Sequence, residues 1–231
     1  MRTHKLFVAS IMICSVASVS AAAQTCNGPG KARWAIKTSL PGGTNASDSG
    51  KTIDLGKLLA LPAAPGVKDD DERFQDARIP AFNNDLQIKE GDLVTTIGWL
   101  YLVATEKDDC DYHIQISPQA RTTTNAPLGS DESIIVEAPR PDFISDSDLS
   151  AKVSQERDFI KSKLLLGKEP SSGGSVMQHP VCVKVTGQLF YDDAHETGQP
   201  RGKKHLQSKT LWELHPITAF TFAPASACPK S

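Results

Sequence analysis

The chain has 231 residues, with 25 basic and 27 acidic side chains, a formal net charge of −2 and five cysteines. That balance excludes a global attraction to nucleic acid or to an anionic membrane, so any polyanion site must be a local patch. A hydrophobic content of 39% suits one domain with long loops, or a domain with an ordered arm.

The amino terminus sets Arg2 and Lys5 before an apolar run from Leu6 through Val16, followed by the small residues Ala21-Ala22-Ala23. This is the order of a secretory signal peptide over residues 1–23, cleaved near Ala23. The run is shorter than the ~20 apolar residues of a spanning helix, so no integral membrane anchor is expected. Ile13 before Cys14 and Thr25 before Cys26 argue against lipid attachment. The expected location is secreted or periplasmic. Losing Arg2 and Lys5 takes the 25 basic residues to 23, against 27 acidic ones. Cys26, Cys110, Cys182 and Cys228 then remain, widely spaced and even in number, which favours two disulfides over a metal site. Of the three pairings, Cys26 with Cys228 (tying the ends together) and Cys110 with Cys182 is the favoured one.

Residues 24–87 are rich in Gly, Pro, Asp and Ser and read as an extended arm packed on a core formed by residues 88–231. The first core strand spans Leu93 to Thr105, with Gly98 marking a bend or bulge. Tyr112-His113-Ile114-Gln115-Ile116 alternates strictly and reads as a half-buried strand with Tyr112, Ile114 and Ile116 on one face. A third strand, Ile134 to Val136, is stopped by Pro139 and Pro141. One helix opens near Ser145 with Asp148 three residues on, buries Leu149, Val153, Ile160 and Leu164, and closes at Gly167. The fourth strand covers Val181 to Tyr191 with a bend at Gly187. The last runs from Leu211 to Phe222, where Pro216 limits pairing to an edge or a bulge. Three strands, a helix and two strands give a mainly β fold, an OB-like five-stranded barrel of order β-β-β-α-β-β with an N-terminal arm. A β-sandwich with one inserted helix is the rival.

Short stretches of the arm and core, among them Arg33-Trp34-Ala35-Ile36-Lys37-Thr38, Asp109 to Ile114, Ile134 to Pro139, Phe190 to His195 and Trp212 to Pro216, resemble a group of exported bacterial proteins of no assigned activity. The resemblance implies export and a shared OB-like fold. It carries no chemistry.

Two constellations carry chemistry of their own. Alternation puts Asp111 and His113 on one face of the second strand and Glu213 and His215 on one face of the last, while His195 lies just past the fourth strand. If they converge, they offer ligands for a divalent metal such as Zn²⁺, or an acid/base pair. The loop from Glu196 to Thr210 carries Arg201, Lys203 and Lys204, with Tyr101, Tyr112 or Trp99 as stacking surfaces nearby. In an OB-fold this loop and the face of strands two and three grip oligonucleotides or oligosaccharides. No G-x-S-x-G, phosphate loop or dinucleotide fingerprint is present, so no organic cofactor is expected. The leading expectation is an exported, non-enzymatic binding module for an oligomeric or anionic ligand. A metal-assisted hydrolase is the alternative, and a structural protein that contacts an envelope component is the third reading.

Overall fold

The computed structural model describes residues 26, 28–30, 32–120, 132–195, 197–203, 206–208 and 210–230. The expected leader, Lys204 and most of the loop between the second and third core strands lie outside the described residues.

The chain order is α1 (Trp34–Lys37), β1 (Lys51–Thr52), α2 (Leu55–Leu59), β2 (Leu93–Thr105), β3 (Tyr112–Ser117), β4 (Ile134–Ala138), α3 (Ser147–Leu164), β5 (Ser175–Tyr191) and β6 (Trp212–Phe222). Hydrogen bonding follows the order β1-β2-β3-β4-β6-β5, and a further β2–β5 pairing closes the five long strands into a barrel. Only the β4–β6 pair within the barrel is parallel, and α3 lies between β4 and β5 in the chain. This is the OB-like order read from the sequence. The arm adds two residues of β1 in parallel to β2.

The barrel interior is filled by alternate residues of every strand, including Tyr112, Ile114, Val136, Leu189, Tyr191, Trp212 and Leu214. The arm closes one side of this core. Leu55 and Leu58 of α2, capped by the Asp54 carboxylate on the Lys57 N–H, are buried in it. Phe82 stacks on Trp212 at 5.9 Å, and the Trp212 indole N–H donates to the Pro62 carbonyl at 2.8 Å.

Four local expectations are corrected. The helix cap is Asp146, whose carboxylate accepts from the Leu149 N–H, rather than Ser145. Gly98 is not the bulge of β2, since the register shift falls between Leu100 and Leu102. Gly98 is small because a Cβ there would lie 2.5 Å from Leu55 Cδ2. β3 is buried on both faces instead of one. The disulfides join Cys26 to Cys110 and Cys182 to Cys228. Cys182 pairs with Trp99 midway along β2, whereas Cys110 lies beyond Thr105 at its end, about 20 Å away at strand rise. The tail after β6 instead folds back on β5, where the Ala223 N–H donates to the Cys182 carbonyl, and this brings Cys228 to Cys182.

Pro216 sits where β6 slips against β5: the pairing steps from Gly187↔Ile217 to Leu189↔Leu214, so β6 carries the surplus residue of a bulge.

Candidate functional site

β3, β4 and β6 are neighbours, and each turns alternate side chains away from the barrel core. His113 pairs directly with Glu137 across β3 and β4. The parallel register Val136↔Leu214, carried one residue on, sets Glu137 beside His215. The outer face therefore carries the lateral row His113–Glu137–His215. On a bare barrel this row would face water. Here α1 and the β5–β6 loop cover it, leaving His113 5%, Glu137 7% and His215 0% exposed.

The polar atoms of the row are close together. His113 Nδ1 lies 2.9 Å from Glu137 Oε1 and 3.2 Å from Glu106 Oε1, and Nε2 lies 3.3 Å from Gln115 Oε1. His215 Nδ1 lies 3.2 Å from Glu137 Oε2 and 3.8 Å from Glu213 Oε2, while Nε2 is 3.3 Å from Asp111 Oδ2. Asp111 reaches the row because Cys110 before it adopts φ 61° and the Arg140 N–H holds its other oxygen at 3.2 Å. The contacts around His215 are ion-pair distances without hydrogen-bond direction: neither ring nitrogen of His215, nor Asp111 Oδ2, has a hydrogen-bond partner. Phe190 closes the cluster from the β5 side, edge-on to the His215 ring at 5.6 Å.

Electrostatics follow from this crowding. Burial by itself disfavours a charged His215, but Asp111, Glu137 and Glu213 outweigh it and hold its pKa well above the ordinary value. For His113, burial again opposes protonation, and Glu106 and Glu137 overcome it to raise the pKa to about 9. Burial pushes Glu137 up, yet the two imidazoles bring it well below the carboxylate range.

Beside the row opens a cavity of about 420 Å³. Arg201 reaches it from the β5–β6 loop with its side chain 8% exposed, held by Asp192 at 2.7 Å and Glu213 at 2.5 Å. The Lys203 ammonium binds Glu106 at 2.9 Å. His195 sits on the rim, 2.6 Å from Asp192, and meets the row only through Asp192, Arg201 and Glu213. Lys37 of α1 places its ammonium 5.6 Å from the Phe190 ring centroid.

The structure thus brings together Asp111, His113, Glu213 and His215 and leaves His195 at the edge. Arg201 and Lys203 face carboxylates, and Lys204 lies outside the described residues. Tyr112 points into the barrel core and donates from its hydroxyl to Glu169, with the Arg157 guanidinium 3.6 Å from its ring centroid. Tyr101 is buried in a small cluster with Leu102, Ala104 and Leu206. Neither ring is a stacking platform on this face. Glu137, the centre of the row, and Glu106 are not among the ligands expected from the sequence. Each lies at the end of a strand or just past one, and only the cross-strand register shows what it meets.

Among the described residues, two sets of donor atoms each lie within 4.8 Å of one another: Glu106, His113 and Glu137, and Asp111, Glu137 and His215. Comparison with known protein families, curated proteins and solved structures finds no match. Fold and site together define an OB-like barrel whose outer face carries a buried histidine–carboxylate row.

Proposed function

We propose that this chain is an exported protein that binds a divalent metal ion on the outer face of its barrel, through Asp111, Glu137 and His215. The observation that carries the reading is the unsatisfied state of a fully buried histidine: His215 and Asp111 are both 0% exposed, and three of their polar atoms find no hydrogen-bond partner. Buried polar atoms are nearly always paired, and each orphan costs roughly 1–3 kcal/mol. An ion among these donors takes the Asp111 oxygen and one ring nitrogen of His215, since the two nitrogens of one imidazole diverge and do not share an ion. Imidazole with carboxylate suits Zn²⁺, Mn²⁺ or Fe²⁺. Protons on the imidazoles and a divalent cation are alternative ways of balancing the same carboxylates, because a ligating imidazole must be neutral. The cavity reaches the row at Glu137, Glu106 and His113, and a metal-assisted hydrolase would use that side of the row.

Export is supported by the leader-like residues 1–23 and by the resemblance to exported bacterial proteins. Two disulfides fit an oxidising compartment. Among the described residues no helix is long and apolar enough to cross a membrane. The reading as a non-enzymatic module gripping an anionic oligomer draws on the position of the cavity, which is the ligand face of an OB barrel. It ranks second because Arg201 and Lys203 already pair with carboxylates.

Calorimetric titration of chelator-treated protein with Zn²⁺ or Mn²⁺ tests the proposal. Saturable binding is expected, and His215→Gln and Asp111→Asn should each weaken it by more than the roughly 10–100-fold that loss of a supporting contact costs. Absence of binding in the wild type, or unchanged affinity in both variants, would overturn it.

A further inference from the structure

Glu137 turns its two carboxylate oxygens toward different partners. Oε1 faces His113 Nδ1 at 2.9 Å, and Oε2 faces His215 Nδ1 at 3.2 Å. The two donor sets around it share no other residue. We propose that the metal site is dinuclear, with Glu137 as the bridging carboxylate between an inner ion held by Asp111 and His215 and an outer ion held by Glu106 and His113. This rests on the metal reading above and adds a second site to it.

Two features support two ions rather than one, and a third supports the inner site itself. A carboxylate that presents one oxygen to each side matches the bridge of paired divalent ions, which sit about 3.5–4 Å apart. A single ion at the inner position leaves His113 and Glu106 unused, although they approach the bridge from the other side with the spacing of ligands. The orphan atoms of His215 and Asp111, both fully buried, point to a ligand at the shared centre. Access differs between the two positions. The inner donors are sealed, whereas the Glu106 side chain is 35% exposed and lines the cavity with His113. The outer ion is therefore the one that meets solvent or substrate, and the inner ion holds the bridge in place. Lys203, 2.9 Å from Glu106, is the competitor for the outer position.

The test is equilibrium dialysis of the chelator-treated exported chain against Mn²⁺, with metal analysis and electron paramagnetic resonance on the same sample. Two Mn²⁺ per chain with an exchange-coupled spectrum are expected, and Glu106→Gln should reduce this to one uncoupled ion. Glu106 is partly exposed, so the variant should fold, and His113→Gln serves as its second. One ion per wild-type chain overturns the dinuclear centre and leaves the metal site standing. None overturns both. Two ions without coupling, or two coupled ions in both variants, would also overturn the bridge.

Discussion

Two of the buried ionic clusters among the described residues, the Arg33–Glu90 pair and the His113–Glu137–His215 row, differ in how completely they are satisfied. Arg33, in the arm, is 0% exposed and spends all five of its N–H groups: two on Glu90, and one each on the carbonyls of Phe74, Tyr191 and Ala77. Glu90 takes two more from the N–H groups of Ile79 and Tyr191. Nothing is left over, and the result is a knot that fixes the arm to the end of β5. The row on β3, β4 and β6 is as deeply buried, yet it leaves both nitrogens of His215 and one oxygen of Asp111 without a bond. A satisfied buried ion pair needs no further partner, whereas an unsatisfied buried atom calls for an explanation, which the proposed ion would supply.

The largest expected effect falls on the knot. Arg33→Ala strands Glu90 in the interior and should cost about 3–5 kcal/mol in urea unfolding, the usual result of removing one partner of a buried pair. A loss below 1 kcal/mol would break the comparison from its structural side. Next comes metal. Wild-type protein in a hundredfold excess of Zn²⁺ over its Kd should gain about 2.7 kcal/mol of stability, read as a raised melting temperature, and His215→Gln should abolish the gain. Smaller still is Lys203→Met. Its pair with Glu106 is partly exposed, so stability should change by about 0–1 kcal/mol, while outer-site Mn²⁺ affinity rises because a competing charge has gone. Weaker Mn²⁺ binding would contradict the assignment of Glu106.

The smallest effect concerns the rim pair. The hydrogen bond that His195 donates to the Asp192 carboxylate raises the His195 pKa, while partial burial opposes it. With the folded value above the unfolded one, this pair contributes stability in full below pH ~6.5 and loses it as pH rises through the folded pKa. Histidine proton resonances followed across this range should show His195 titrating above 6.5, and Asp192→Asn should bring it back toward the ordinary value. An unshifted His195 in the wild type would remove Asp192 from the rim network.

Much of the fold was legible because period-two patterning and turn residues act locally. β2 spans the residues expected, Pro216 and Gly187 meet at the slip between β5 and β6, and α3 carries its apolar stripe at Leu149, Val153 and Ile160. Half of the site was legible on the same grounds: alternation pairs Asp111 with His113 and Glu213 with His215. What alternation does not contain is register. Glu137 reads as a polar residue ending a short strand until β3 and β6 are set on either side of it. The basic loop shows the converse error. Composition displays Arg201 and Lys203 as free cations, whereas their carboxylate partners come from Asp192, Glu213 and Glu106, on other segments. The two disulfides were legible from the cysteine count, but their pairing was not, since the return of the tail over β5 is a tertiary event with no local signal.

The most direct test of the central claim is anomalous diffraction from crystals of the protein grown with Zn²⁺. The account predicts a peak among Asp111, Glu137 and His215, at about 2.0–2.2 Å from its nitrogen and oxygen donors, with a second peak across Glu137 toward His113. A map with no anomalous density at this row, from protein crystallised at saturating Zn²⁺, would contradict it.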